Sequence, residues 1–93
     1  MLKSIVDSIT LIDSSSEILE NLLQIAVFNN GDNPITVLNQ VIEPDSAPFI
    51  IDPTNTYFDF KLDNIRVSRE GGNNVLIRYQ KVILPTKTVT KNC

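Results

Sequence analysis

The chain has 93 residues, of which 42% are hydrophobic and 20% charged, with a formal net charge of −3 at pH 7. This length allows one domain with a small core, and this composition is typical of globular rather than disordered proteins. Without histidine, Ser–His and Cys–His nucleophile pairs are excluded, and without an apolar run of about 20 residues no membrane span is expected.

Charge is distributed unevenly along the sequence. The first 60 residues contain nine acidic residues and one lysine, whereas the remaining 33 contain seven basic and two acidic residues, giving −8 followed by +5. Either strands from the two halves interleave and the charges pair across one surface, or the domain has opposite faces suited to head-to-tail contact between copies. Because the basic residues are dispersed and the net charge is negative, no nucleic-acid partner is expected.

The first predicted element is a β-strand over Ser4–Ile12. It alternates imperfectly, with Ile5, Ile9 and Leu11 on one face and Asp7 as the exception on that face, which suits a strand at the edge of a sheet. Asp13–Ser16 has the composition of a turn. Met1–Asp13 lacks the cleavage site and the apolar run of a secretory signal peptide, so we expect a chain made in the cytoplasm.

The next segment, Glu17–Phe28, fits both a helix and a strand. Ser14 followed by Glu17 resembles a helix capping box, and the apolar residues after it have helical spacing. The β-branched, alternating end of the segment favours a strand instead. We predict a strand over about Leu22–Asn29, allow a helical turn before it, and place Phe28 in the core.

Turn residues divide the middle of the chain. Asn30–Asn33 is the strongest turn signal, because its Asn and Gly residues tolerate positive φ. Ile35–Ile42 alternates and is predicted as one strand, which Glu43–Ser46 closes as a turn. Pro48–Ile51 is a short apolar run, predicted as a short buried strand.

In the last third of the chain, predicted strands again alternate with turns. Tyr57–Val67 is a strand whose apolar phase slips by one residue at Asp63–Asn64, which predicts a bulge or a tight bend there. Glu70–Asn74 is a second hairpin signal. Val75–Leu84 is predicted as a strand, and Pro85–Cys93 as an extended arm.

These elements predict an all-β fold. About six or seven short strands, separated by Asn, Gly and Pro turns, are typical of a small antiparallel β-sandwich, jelly-roll-like or immunoglobulin-like, or a barrel. We expect a single domain over residues 1–93, with a core from about 4 to 84, flexible N- and C-terminal arms, and the C-terminal arm over 85–93.

No catalytic, cofactor-binding or metal-binding residues are predicted, and the chain is not expected to be an enzyme. Asp45, Asp52 and Asp59 recur every seven residues, but they stand at or beside turns, where aspartate is expected for local reasons. Oxygen ligands for Ca²⁺ are offered in loops, without the spacing of a known calcium loop, by Asp32, Asn33, Asp45 and Asp52. Gly71–Gly72 is an isolated pair rather than a phosphate-binding loop.

The aromatic side chains are expected mainly in the core. Phe58, Phe60 and Tyr79 fall at inward positions of their strands, whereas Tyr57 is a candidate loop aromatic for a ligand-binding surface. The single cysteine, Cys93, cannot form an internal disulfide, and its role is open between a loose thiol and intermolecular pairing.

The order of features from Leu22 onward resembles small structural proteins of tailed and other bacteriophages. An apolar strand ends in an Asn-rich turn, a "PITV" strand follows, and "IEPDSAPF" introduces the next strand. "LDNIRVSREGGNNVLIRY" then resembles the closing hairpin of the same modules, so that the resemblance covers about Leu22–Lys81. The proline turn of that family usually carries a glycine, where this chain has Asp45 and Ser46.

The resemblance implies a non-enzymatic β-sandwich component of a bacteriophage virion. Such a capsid, neck, tail or fibre protein packs against other virion proteins and copies of itself, as a homo-oligomer assembled in the host cytoplasm. Assembly stabilises a small core and covers exposed sheet edges, while the termini can act as arms. The alternatives are a carbohydrate- or ligand-binding β-module and a small inhibitor of a host protein.

Overall fold

A computed structural model describes residues 3–54 and 56–83, so the predicted arm Pro85–Cys93 lies outside the described residues. The described chain contains β-strands and one 3₁₀ turn, Leu62–Asn64, and the predicted all-β class is confirmed. The strands are β1 Lys3–Leu11, β2 Ile18–Asn29, β3 Ile35–Val37, β4 Gln40–Ile42, β5 Phe49–Ile51, β6 Phe58–Lys61, β7 Ile65–Arg66 and β8 Val75–Ile83.

The strands form two antiparallel sheets, in agreement with the predicted small β-sandwich. The large sheet has the order β1-β8-β2-β5, and β6 pairs with β2 beside β5; the small sheet has the order β4-β3-β7. β1 stands at the edge of the large sheet, as its sequence predicts. β8, from the basic part of the chain, lies between β1 and β2 from the acidic part, so the two halves interleave.

The core lies between the sheets and is aliphatic apart from one phenylalanine. Alternate residues of each strand point to one face of a sheet, so the inward positions of β2 and β8 meet those of β3 and β7. Each fully buried Leu or Ile contributes roughly 1.5–3 kcal/mol relative to an exposed one. The buried cluster consists of Leu11, Leu22, Ile25, Val27, Ile35, Val37, Ile42, Phe60, Leu62, Ile65, Val75 and Ile77.

Two irregularities in β2 explain its ambiguous sequence. The register shifts between Leu19 and Leu22 against β6, where Asn21 has a positive φ of 58°, and again between Leu22 and Gln24 against β8. Each bulge inserts one residue, so an alternating pattern acquires the spacing of a helix. The helical turn allowed before Leu22 is therefore wrong, because the strand begins at Ile18.

The predicted single strand Ile35–Ile42 is also wrong, because it is a hairpin. Leu38 and Asn39 have φ values of 49° and 69° and form a two-residue turn between β3 and β4, with Val37 opposite Gln40. Two consecutive positive φ values are characteristic of the type I′ turn, whose twist matches that of the strands. Asparagine tolerates positive φ, whereas leucine disfavours it, so Leu38 gives no turn signal in the sequence.

Leu38→Asn is expected to stabilise the protein. Leucine in the left-handed region costs roughly 1–2 kcal/mol, and this side chain is 46% exposed, so little packing is lost on replacement. Asparagine should recover about 0.5–1 kcal/mol and raise Tm by roughly 2–8 °C in thermal denaturation. Val41→Thr, an exposed position in the same hairpin, is the control and should leave Tm nearly unchanged; an equal Tm for both variants contradicts the prediction.

The phase slip at Asp63–Asn64 is confirmed as a tight bend. The 3₁₀ turn Leu62–Asn64 separates β6, in the large sheet, from β7, in the small sheet. The chain therefore changes sheets where its apolar residues change phase, since the inward direction of one sheet is opposite to that of the other.

Asn30–Asn33 and Glu70–Asn74 are turns, but neither closes a hairpin. The first leads from β2 in the large sheet to β3 in the small sheet, and the second leads from β7 back to β8. Three hydrogen bonds of 2.7–2.9 Å join the two loops to each other. The paired loops thus continue the β2–β8 ladder beyond its last pair, Asn29 and Val75.

Candidate interaction surface

The face of the large sheet that points away from the small sheet is the outer face. Because Ile25, Val27 and Ile77 are buried in the core, their neighbours along each strand point outward. The pairing register then arranges the outer residues in rows across the strands. The rows are Val6–Gln80–Gln24, Ser8–Arg78–Ala26–Ile50 and Thr10–Leu76–Phe28.

A groove of about 210 Å³ lies on this outer face. It forms around Ala26, the smallest side chain in its part of the face, which stands between Gln24 and Phe28 on β2. Val6 from β1 and Arg78, Tyr79 and Gln80 from β8 complete the lining. The groove thus joins three apolar side chains, two amides, one cation and Tyr79 on three adjacent strands.

Hydrogen bonds fix both amides at the rim. Gln24 Nε2 donates to Asp52 Oδ2 at 3.3 Å, and Gln80 Nε2 donates to Ser4 Oγ at 2.9 Å. No carboxylate belongs to the groove lining in the described part of the chain. A guanidinium favours a carboxylate partner, so the groove suits an apolar segment that carries one acidic group.

The outer face also corrects two predictions. Phe28 is half-buried on this face rather than in the core, because the bulge after Leu22 sets the odd residues of β2 inward and the even ones outward. Ile50, opposite Ala26, points outward and is 54% exposed, so Pro48–Ile51 is not a buried strand. Both side chains add to the apolar surface around the groove.

The free edge of β1 is a second unusual feature. β1 pairs with β8 along its whole length and has no partner on its other side among residues 3–54 and 56–83. Ser4–Ser8 are exposed on both faces of the strand, and Val6 is 67% exposed. Asp7 stands opposite Tyr79, whose pKa is raised first by its burial and second by this carboxylate.

The aromatic candidates from the sequence are placed mainly as predicted. Phe60 is buried, and Phe58 and Tyr79 pack against the core. Tyr57 is exposed but does not line the outer groove. Tyr79 and Phe28 both belong to the groove lining. Phe28 was missed there because its direction depends on a bulge that the sequence does not mark.

The loop carboxylates serve local structure. Asp59 Oδ1 accepts a hydrogen bond from the backbone N–H of Asn21 at 3.1 Å, and Asp52 accepts the one from Gln24. Among residues 3–54 and 56–83, no three His, Cys, Asp or Glu side chains come together. The candidate carboxylates Asp32, Asp45 and Asp52 therefore form no such group. The described part of the chain also has no helix with the length and hydrophobicity to cross a membrane.

Two buried asparagines hold the loops in place. Asn29 donates from Nδ2 to the carbonyls of Asn33 and Ile42, both at 2.8 Å, and accepts at Oδ1 from the N–H of Gly31 at 3.1 Å. Asn73 donates from Nδ2 to the carbonyls of Ser68 and Ile12 and accepts at Oδ1 from the N–H of Ser68, so it joins the loop after β7 to Ile12. An Asn two residues before a turn glycine is the sequence signal for Asn29.

A second cavity, of about 340 Å³, lies beside the 3₁₀ turn. Its charged lining consists of Asp13, Asp63, Arg66 and Arg69. Because the two signs balance, this cleft selects no ligand charge, and the outer face with its edge strand is the stronger candidate surface.

Comparison with known proteins yields no match. No family model, no curated protein and no solved structure is found to be similar to this chain. Its function is therefore inferred from its own surfaces and from the order of features in its sequence.

Proposed function

We propose that the protein is a non-enzymatic structural component of a bacteriophage virion that acts by packing against neighbouring subunits. The observation that carries the proposal is the outer face of the large sheet. In the described part of the chain no layer covers it, although Val6 and Ile50 expose more than half of their surface there. Exposed apolar patches on a folded domain mark contact sites.

The size of the domain supports the same function. A chain of 93 residues buries a smaller fraction of its surface than larger domains do. Contact with neighbours in an assembly adds buried area and stabilises the fold by mass action. The sequence pattern over Leu22–Lys81, which resembles small phage structural proteins, supports a virion as that assembly.

The charge of the groove defines its neighbour more closely. Two outer faces packed with the groove on their common two-fold axis would bring two Arg78 guanidinium groups together, which is unfavourable. The outer face therefore suits an unlike surface, with an acidic residue placed for Arg78 and apolar residues for Phe28 and Ile50. A different virion protein, or an acidic region of another copy, meets this requirement.

Replacement of Ile50 by lysine tests the proposal. In cells infected by the encoding phage, a tagged wild-type chain is expected to co-sediment with purified particles in a density gradient. Ile50→Lys should reduce its copy number per particle at least about tenfold, because lysine loses its hydration in a packed interface. Val41→Lys, an exposed apolar residue on the small sheet, is the matched control and should keep its copy number.

Two results contradict the proposal. One is absence of the wild-type chain from particles, together with neighbouring genes that encode no virion proteins. The other is a strictly monomeric chain at high concentration whose Tm rises with an added glycan, which favours the carbohydrate-binding alternative.

A further inference from the structure

We infer that the free edge of β1 pairs antiparallel with β1 of a second copy of this chain, with Lys3 of each copy opposite Asp7 of the other. The large sheets of the two subunits then form one continuous sheet across a two-fold axis at Ile5. This inference rests on the proposed assembly function and names one of its contacts.

The regularity of β1 is the first observation. Its nine residues pair with β8 in one uninterrupted register from Lys3–Ile83 to Leu11–Val75, without a bulge or a proline. Natural proteins protect long edge strands with such interruptions, because unpaired N–H and C=O groups attract other strands. Asp7 is the single acidic residue along this edge. A long and regular edge is the geometry that a pairing strand requires.

The second observation is the space around the edge. Ser4–Ser8 are exposed on both faces, so neither sheet of the described chain obstructs a partner strand there. The opposite end of β1 differs, since Leu11 is buried in the core. A second copy therefore meets β1 over its first half, around Ile5, which is itself exposed.

The charges of β1 then select the register. To keep inward residues on one face of a continuous sheet, odd positions must pair with odd positions. An axis at Asp7 places two carboxylates opposite each other, and an axis at Val6 places Asp7 opposite Ile5. An axis at Ile5 places Asp7 opposite Lys3 at two symmetric sites, and opposite charges directly across a strand pair are favourable.

A cysteine scan reads this register directly. In a Cys93→Ser background, single cysteines replace Ile5, Val6 or Asp7, each at the axis of one of the three registers. Directly opposite Cβ atoms lie about 4.5–5.5 Å apart in an antiparallel pair, close enough for a disulfide after small movements. Under mild oxidation, Ile5→Cys should form disulfide dimers at least about tenfold faster than Val41→Cys, an exposed control on the small sheet.

The scan can overturn the inference in two ways. Faster cross-linking at Val6→Cys or Asp7→Cys than at Ile5→Cys overturns the register. Rates at all three positions no higher than at Val41→Cys overturn β1 pairing as a whole.

Charge exchange is the second test, with self-association measured by sedimentation of the full chain. Lys3→Asp and Asp7→Lys should each weaken association roughly tenfold, because each places like charges opposite at two sites. The double exchange should restore it, and Glu70→Lys, exposed in a loop, should have no effect. Asp7→Lys also removes the carboxylate opposite Tyr79. If that variant misfolds, the effect of a like-charge pair on association is measured with Lys3→Asp.

A double exchange that associates no better than either single variant overturns the inference. So does a wild-type chain that stays monomeric up to about 1 mM, a weak limit for any specific contact. Neither result alone contradicts the proposed function. That function is lost when the wild-type chain is absent from particles, or when a monomeric chain also gains thermal stability from an added glycan. Failure of the edge contact is in this way distinguishable from failure of the assembly function.

Discussion

Asn29→Asp is expected to lower the free energy of unfolding by about 3–5 kcal/mol at pH 7. Asn29 is 2% exposed, and its Nδ2 donates to the carbonyls of Asn33 and Ile42. Aspartate has nearly the same shape but offers no donor when ionised, so a buried carboxylate would face two carbonyl oxygens. The expected fall in Tm is at least about 12 °C for a domain of this size.

The pH dependence of this loss provides an internal check. Burial against two carbonyl oxygens, with the Gly31 N–H as its one donor, raises the folded-state pKa of the new carboxyl above its unfolded value. The destabilisation is therefore complete above the folded-state pKa and decreases as the pH falls through it towards the unfolded value. The Tm difference from wild type should be smaller at pH 4 than at pH 7.

Asn30→Asp is the matched control, because it makes the same chemical change at the neighbouring exposed position. It should change Tm by only a few degrees. Equal losses for the two variants, or a loss at Asn29 that does not depend on pH, would show that the two Nδ2 hydrogen bonds are not what stabilises this loop.

The parts of the fold that local chemistry determines could be predicted from the sequence. Asn, Gly and Pro clusters mark the turns at Asn30–Asn33 and Glu70–Asn74, because these residues accept backbone conformations that others resist. Alternation identified β8 and the edge strand β1, since each has one inward face. The bend at Asp63–Asn64 could be predicted because, in a sandwich, a change in the phase of the apolar residues marks a change in the direction of the core.

The parts that depend on distant partners could not be predicted. The bulges of β2 arise from its pairing with β6 and β8 on opposite sides, and they imitate helical spacing in the sequence. The turn at Leu38 carries a residue that disfavours its conformation, so no local signal marks it. Both loops that resembled hairpins connect two sheets, a choice that the pairing of the whole chain decides.

The outer groove shows the same limit for a functional surface. Its lining comes from Val6 on β1, from Gln24, Ala26 and Phe28 on β2, and from Arg78, Tyr79 and Gln80 on β8, and these strands are far apart in sequence. Only the registers of β1 and β2 with β8 bring Arg78 beside Ala26 and place Gln80 beside Val6. Without a known register, one arginine, one phenylalanine and two glutamines on β2 and β8 cannot be recognised from the sequence as parts of one surface.

Gly31→Ala is expected to lower the free energy of unfolding by about 2–3 kcal/mol, through overpacking between the two connecting loops. A Cβ at this position would lie 2.7 Å from both Asn74 N and Gly72 O, and 3.1 Å from Asn73 Cα. All three are backbone atoms, so no side chain can rotate away. The loops must separate, and the hydrogen bonds from Asn30 N to Asn74 O and from Asp32 N to Gly72 O must lengthen.

Gly71→Ala separates this crowding from the ordinary cost of replacing glycine. Gly71 has a φ of +92°, but a Cβ there meets nothing within 4 Å, so its variant carries conformational strain alone, roughly 1 kcal/mol. Thermal denaturation should rank Gly31→Ala below Gly71→Ala by at least about 4 °C. Amide exchange should accelerate at Asn30 and Asp32 in the first variant only. The opposite ranking of Tm, or unchanged exchange rates at these amides, would mean that separating the two loops costs little free energy and that they do not stabilise the end of the β2–β8 ladder.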